Sequence, residues 1–329
     1  MTKIKSVLSP VPSHAMTCFK LPTSFCKRIQ SAVTQFWWDD KEGKRKMSWV
    51  AWLTMTKQKS QGGLGFRDFQ SYNDAFLEKL SWRLLHNPTS LLGKVLLGKY
   101  CKEESFLTVT DKATESHGWR GFLIGRDLLK TNIGWAIGNG ESVSVWSDNW
   151  LSVSEQVRPM GPVPEDQLEL RVKDLFLPNS CDWDREKIQR LMPFEEERIL
   201  MIKPSKTGCQ DKIIWLKTRD GVYSTKSGYW TSCEHREAST QAQQAPSIDW
   251  EKGIWKLNAD PKIKLFIWKI FQGVMHTSES LAARNINVEA KCARCGSPES
   301  INHLFFIVSL IKRCGTLPPL PQALMREDW

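Results

Sequence analysis

The sequence predicts a mixed α+β chain, mostly helical: a helical N-terminal part, two β-hairpins in the middle, and a small helical C-terminal module ending in a cysteine–histidine knuckle. Three observations predict it. Apolar residues recur at spacings of three and four through the first 130 residues and again after Pro261, the period of an amphipathic helix. Two stretches in the middle alternate instead, each about a glycine-containing turn. Cys292 and Cys295, separated by two residues, precede His303, and Gly296 can supply the positive φ that a turn presenting two thiolates needs.

Residues 1–22 read as a loop or short strand broken by Pro10, Pro12 and Pro22. Thr23 or Ser24 can cap a helix whose apolar stripe is Phe25, Ile29, Val33 and Phe36 and which stops near Trp38. The Asp39-Asp40 pair that follows does not suit a polymerase metal site. Such a site needs its carboxylates in a tight hairpin between apolar strands, with a third from elsewhere, and here a charged turn follows. Lys44, Arg45 and Lys46 run into Trp49 and Trp52, and cations mixed with flat aromatics can hold phosphates and stack bases. The competing reading is a basic turn entering a buried strand or helix. Gly62-Gly63-Leu64-Gly65 lacks the spacing and the strand–loop–helix frame of a phosphate loop, so it reads as a structural turn.

Phe76, Leu77, Leu80 and Leu84 predict a helix over 73–86, which Pro88 ends. A second runs over 90–100 with Leu91, Val95 and Leu96 as core candidates, and a third over 119–129. Residues 135–146 alternate around Gly138-Asn139-Gly140, the first expected hairpin; 213–216 and 222–224 flank Asp220-Gly221, the second. Residues 152–168, with Pro159, Pro162 and Pro164, read as a linker; 184–191 reads as a short helix, and Glu195-Glu196-Glu197 as a solvated helix face. A helix starts over 227–232, and 235–247, rich in Gln, Ala, Ser and Thr, reads as a flexible linker.

The C-terminal module begins at Trp250. Pro261 fits a first helical turn, where its missing N–H costs nothing. Ile263, Phe266, Ile267 and Ile270 form the apolar stripe, leaving Lys262, Lys264 and Lys269 for solvent or phosphate. Cys292, Cys295 and His303 have the chemistry of zinc ligands, but a structural zinc takes four. Cys314 is close enough in sequence to fold back as the fourth.

Composition, with 41% hydrophobic and 25% charged residues, is that of a globular protein. Nine scattered cysteines without a secretory leader favour reduced thiols over disulfides, and an intracellular location, nucleus and cytoplasm not being distinguished. No apolar run approaches the roughly 18 residues of a membrane span, so no membrane partner is expected. Residues 1–110 carry 17 basic and 8 acidic side chains, 111–250 carry 18 and 21, and 251–329 carry 11 and 7. Basic ends around a near-neutral middle suit a polyanionic partner. No nucleophile–histidine pair, H-E-x-x-H, phosphate loop or kinase signature occurs, and no carboxylates have the spacing of a nuclease metal site.

The strings Trp250, Ile254-Trp255, Leu257, Pro261-Lys262-Ile263-Lys264, Phe266 and Trp268-Lys269, then Cys292, Cys295, Glu299-Ser300 and His303-Leu304-Phe305, resemble the zinc-binding domain near the C-terminus of plant non-LTR (LINE-type) retroelement reverse transcriptases. Cys18-Phe19-Lys20-Leu21-Pro22, Phe36-Trp37-Trp38, Trp49, Trp52, Gly62-Gly63-Leu64-Gly65-Phe66-Arg67-Asp68 and Trp82-Arg83-Leu84-Leu85 resemble the segment after the polymerase palm in the same polyproteins. The resemblance implies a zinc knuckle whose last cysteine is replaced by Val308, hence a degenerate site that holds zinc weakly. It also implies that palm and endonuclease precede this region, and that a ribonuclease H domain sometimes follows it.

The expected organisation is a basic, helical thumb- or connection-like region over 1–110, an α+β connecting region over 111–234, a linker over 235–249, a zinc-binding-like domain over 250–314 and a tail over 315–329. The expected function is that of a fragment of a reverse transcriptase polyprotein without polymerase chemistry, binding single-stranded RNA or DNA weakly and in a salt-dependent way. Lys44, Arg45, Lys46, Trp49, Trp52, Lys262, Lys264 and Lys269 are the candidate contacts. A module recruited to bind protein through tryptophan-rich grooves is the alternative.

Overall fold

A computed structural model describes residues 1–39, 47–102, 104–112, 115–161, 167–178, 180–238, 248–287, 291–292 and 295–307. In chain order its helices are α1 (Ser13–Met16), α2 (Thr23–Trp38), α3 (Trp52–Thr56), α4 (Phe69–His86), α5 (Leu91–Tyr100), α6 (His117–Lys130), α7 (Arg185–Leu191), α8 (Glu196–Met201), α9 (Thr225–Ala238), α10 (Pro261–Phe271) and α11 (Ser278–Ala282). Its strands are β1 (Ile133–Ala136) and β2 (Lys212–Trp215). The class is the expected one, mixed α+β and mostly helical. Two units divide the chain: Met1–Ser9 with Lys27–Asp68 and Gln243–Trp329, and Pro10–Cys26 with Phe69–Ala242.

In the second unit α4 packs against α6 and α9. Helices α4 and α6 approach closely because Gly125 has no side chain: a Cβ there would lie 2.2 Å from the Leu77 carbonyl oxygen. Ser81 Oγ donates to the Phe122 carbonyl at 2.7 Å across the same contact. Leu84, Trp119, Phe122 and Leu123 form the core here, with Leu96, Leu97 and Tyr100 of α5 against it. Thus α5 turns a different face inward than its periodicity suggests. Of the three expected core residues Leu96 does pack here, while Leu91 and Val95 are 81% and 58% exposed.

The two expected hairpins do not close. Instead β1 pairs with β2 in one long-range antiparallel ladder, Ile133 opposite Trp215 and Ala136 opposite Lys212. The reason is Asp211, whose carboxylate accepts from the backbone N–H groups of Gly138 (2.7 Å), Gly140 (2.9 Å) and Ser142 (2.9 Å). The Gly-Asn-Gly segment wraps around that anion rather than forming a two-residue turn, with Gly140 at φ +72°. Freed from a local partner, Val143 and Val145 bond to Val172 and Leu170 instead. They join Trp150, Leu175, Ile188 and Ile199 in a second core cluster. At the expected second turn, one bond from Trp215 N–H to the Gly221 carbonyl remains, at 2.8 Å.

Four smaller expectations change as well. The N-terminal segment is helical, as a π-type turn over Ile4–Leu8 followed by α1, not a loop or strand. Glu195 and Glu196 are not freely solvated: they pair with Arg198 (3.2 Å) and Arg185 (2.6 Å). Helix α9 continues to Ala238, into the stretch read as linker, while 239–247 lie outside the described residues. In α2 the helix bounds agree with expectation, but Cys26 and Val33 are its buried residues, and Phe25 and Phe36 are 44% and 53% exposed.

The first unit is built on the glycine-rich loop. Leu64 and Phe66 are fully buried, and their N–H groups both bond to the Met55 carbonyl at 3.1 Å, tying the loop to α3. A Cβ on Gly63 would lie 2.0 Å from the Lys57 carbonyl oxygen, so only glycine fits. The motif is a structural turn.

Candidate functional site

Helix α10 sets the site, and the glycine-rich loop sets α10. Trp268 Nε1 and Gln272 Nε2 both donate to the Gly62 carbonyl, each at 2.8 Å. Trp250 packs edge-on against Phe271 at 5.7 Å, its ring filling the space where a Gly62 Cβ would sit. These anchors rotate the helix, so Trp268 and Phe271 are buried while Ile263 and Phe266 of the expected stripe are 49% and 43% exposed. An indole that is both large and a hydrogen-bond donor outranks isoleucine for the one interior slot with an acceptor in it.

The rotation opens a groove of about 390 Å³ lined by Trp37, Trp38, Met47, Trp49, Lys262, Leu265, Phe266, Lys269 and His276. Lys269 Nζ lies 5.6 Å from the Trp38 ring, within cation–π range. The Arg284 guanidinium caps Trp49 at 4.3 Å and donates to the Trp49 carbonyl at 2.9 Å. The His276 ring meets Trp49 edge-on at 4.6 Å. Flat aromatic side chains, the apolar Met47 and Leu265, and the ammonium groups of Lys262 and Lys269 together can stack a planar ring and hold the anions attached to it.

The candidate contact residues fall into three groups. Trp49, Lys262 and Lys269 come together in the groove. Trp52 packs instead toward Phe66, ring centroids 6.1 Å apart, and Lys264 Nζ donates to the Trp255 carbonyl at 3.1 Å. Lys44, Arg45 and Lys46 lie outside the described residues. Sequence reasoning missed Trp37, Trp38, Phe266 and His276 as groove residues and Arg284 as the side chain that caps Trp49. Only the run of aromatics before the charged turn hinted at them.

The knuckle is the other half of the site. Cys292 N–H bonds to the Ser297 carbonyl (2.7 Å) and Gly296 N–H to the Cys292 carbonyl (2.9 Å), with Gly296 at φ +72°, as the spacing requires. A hydrogen bond from His303 N–H to Ser300 Oγ at 3.0 Å helps orient the histidine. The ligand atoms of Cys292, Cys295 and His303 all lie within 4.8 Å of one another, Cys295 Sγ to His303 Nε2 being 3.1 Å. Tetrahedral zinc spaces such atoms by about 3.5 to 3.8 Å, so the three side chains fit it. Cys314 and Val308 lie outside the described residues. Glu299, between knuckle and histidine, accepts from Ser278 Oγ (2.6 Å) and Ser278 N–H (3.1 Å), which hold its carboxyl below the usual range.

A buried polar cluster in the second unit carries no sequence motif. Asp74 of α4 pairs with Lys20 and, at 2.8 Å, with Arg236 of α9. One helical turn on, Glu78 is 3% exposed, with Tyr223 Oη 2.8 Å from its carboxylate. Burial pushes the Glu78 carboxyl up to about 8, and burial likewise raises Tyr223.

The family described as zinc-binding in reverse transcriptase matches residues 223–314, a span that holds α9, α10 and the whole knuckle. An Arabidopsis thaliana protein named for ribonuclease H is 29% identical over 311 residues, which make up 92% of this chain and 49% of that protein. This chain therefore spans about half of that relative's length. An uncharacterized mitochondrial protein of Arabidopsis thaliana is 40% identical over 151 residues, 46% of this chain and 98% of that protein. With the zinc-ligand set assembled inside the matched span and one relative covered nearly end to end, the chain belongs to the plant retroelement reverse-transcriptase family that carries this zinc-binding domain.

Proposed function

We propose that this chain is a nucleic-acid-binding, non-catalytic region of a retroelement reverse transcriptase, and that its groove takes single-stranded RNA or DNA. The observation that carries the reading is the convergence of Trp37, Trp38, Trp49 and Phe266 with Lys262 and Lys269 on one cavity. Stacking is available only to bases outside a duplex, and the lysines complement the flanking phosphates. Two further facts support it. Among the described residues, the group of three or more metal-ligating side chains close enough to share an ion is Cys292, Cys295 and His303, not a set of carboxylates. Asp68, Asp74 and Glu78 are hydrogen-bonded to Gln30, Arg236 and Tyr223. Zinc held by Cys292, Cys295 and His303 supplies folding energy to the module; Cys314 is the candidate fourth ligand.

Binding of a labelled single-stranded oligonucleotide across a salt series tests this. Affinity should fall with salt at a slope of about 0.7 per phosphate engaged, and Lys262→Ala with Lys269→Ala should lower that slope by about 0.7 per lysine. Trp49→Ala should cost about 1–3 kcal/mol at every salt concentration. Affinity flat in salt would overturn the reading and favour a protein partner for the groove.

A further inference from the structure

Two chains of contact run from the knuckle to two lining residues of the groove, Phe266 and Trp49. The first follows the peptide directly. His303 opens the π-type turn His303–Ile307, and Phe305, two residues on, packs edge-on against Phe266 at 5.8 Å. Phe266 is itself a groove wall on α10. The second passes through Glu299, four residues before His303. Its carboxylate accepts from Ser278 Oγ and N–H, and its carbonyl accepts from Glu279 N–H at 3.3 Å, so it holds the start of α11 by both side chain and backbone. Just past the end of α11, Arg284 donates to the carbonyls of Ser48 (3.4 Å) and Trp49 (2.9 Å) and caps the Trp49 ring. Residues 47–49 belong to no helix or strand, so Arg284 is a principal fastening for the wall that carries Trp49.

Both chains start from a segment whose described residues are held by the isolated bridge of Lys291 with Pro298, the turns at Gly296, Ser300 and Leu304, and the π-type turn. A metal bound by Cys292, Cys295 and His303 fixes that segment at three points: Cys292 and Cys295 before Glu299, and His303 between Glu299 and Phe305, two residues before the latter. We infer that the knuckle gates the groove: zinc occupancy sets the positions of Glu299 and Phe305, and through them the positions of Trp49 and Phe266 in the groove lining. Glu299, Arg284 and Phe305 are positioning residues in this scheme. The inference rests on the groove being the nucleic-acid site, but the coupling has a readout independent of any oligonucleotide.

The test uses the full chain, stripped with chelator and then titrated with Zn²⁺ alone. Hydrogen exchange is followed in peptides covering 47–52 and 261–271, and Zn²⁺ binding by competition with a chromogenic chelator. Zinc should slow exchange in both peptides. Phe305→Ala should keep zinc binding but lose the protection in 261–271, and Glu299→Ala should keep zinc binding but lose it in 47–52. Glu299→Gln, which retains an acceptor for Ser278, should restore the second effect. Oligonucleotide affinity should rise about five- to tenfold on zinc loading in the native sequence, the low end of ordinary site-to-site coupling, and not in Glu299→Ala. Failure to bind zinc, or equal exchange in both groove peptides with and without it, overturns the gating. Zinc-dependent protection with no oligonucleotide binding at any zinc level would leave the gating standing and overturn the nucleic-acid reading instead.

Discussion

Glu78 shows what a single buried group contributes. Its carboxyl is pushed up to about 8 by burial, against an ordinary value of 4.5, with Asp74 adding to the rise and Tyr223 and Lys20 opposing it. The folded state therefore keeps a proton that the unfolded chain releases between those values. Where the native state holds more protons, stability falls as pH rises. The contribution should be greatest below about pH 4.5 and lost progressively up to about pH 8, a loss of order a few kcal/mol at about 1.4 kcal/mol per pH unit. Denaturant unfolding from pH 5 to 8 checks this: Glu78→Gln, a neutral acceptor for Tyr223, should flatten the slope. A second residue-scale expectation concerns the fourth zinc ligand. Val308→Cys should raise Zn²⁺ affinity by orders of magnitude if the fourth position is open. If Cys314 already fills it, Val308→Cys should change little and Cys314→Ser should release the metal, both read by chelator competition.

At the scale of elements, α10 is the instructive case, because two different faces of one helix could have gone inward. The anchors to Gly62 favoured Trp268 over the isoleucine stripe. Trp268→Ala should therefore destabilise the chain by about 3–5 kcal/mol, as expected for a buried tryptophan. Ile263→Ala, on a side chain 49% exposed, should stay within about 0.5 kcal/mol. Thermal or denaturant melts of the two variants decide the orientation; similar losses in both would contradict it. The pairing of β1 with β2 has the same character. A carboxylate at 211 outcompeted a local turn because it satisfies three backbone N–H groups at once.

For the molecule as a whole, charge and aromatic content are concentrated where they can act together. The groove unit includes Lys5, whose ammonium donates to the Leu64 carbonyl at 2.6 Å; burial, then Lys59 and Arg67, lower its pKa. Lys59 lies 4.5 Å over the Trp255 ring, a second cation–aromatic pair in the same unit. Positive charge of this kind attracts polyanions in general. On a primed RNA template with Mg²⁺, the chain should extend no primer above a buffer control. Extension abolished by Asp39→Ala with Asp40→Ala would restore the rejected reading of that pair. Among the described residues no helix is long and apolar enough to cross a membrane.

The sequence by itself determined the class, the positions of the longer helices within a few residues, and the knuckle. These follow from short-range rules: periodicity, the end of a helix before Pro88, Pro261 at a first turn, and the two-residue spacing of Cys292 and Cys295. The motif resemblance carried the family, because strings such as Pro261-Lys262-Ile263-Lys264 are specific whatever their structural role. Only tertiary structure decided which face each helix buries, which strand pairs with which, and which aromatics meet. Those outcomes depend on partners far away in the chain: the Gly62 carbonyl for Trp268, Asp211 for Gly138 and Gly140, Arg284 for Trp49. Composition places cations and aromatics in the chain, but whether Lys269 joins a groove and Lys264 bonds to a backbone carbonyl is set by the rotation of α10. That rotation depends on one acceptor more than two hundred residues upstream, at |i−j| of 206.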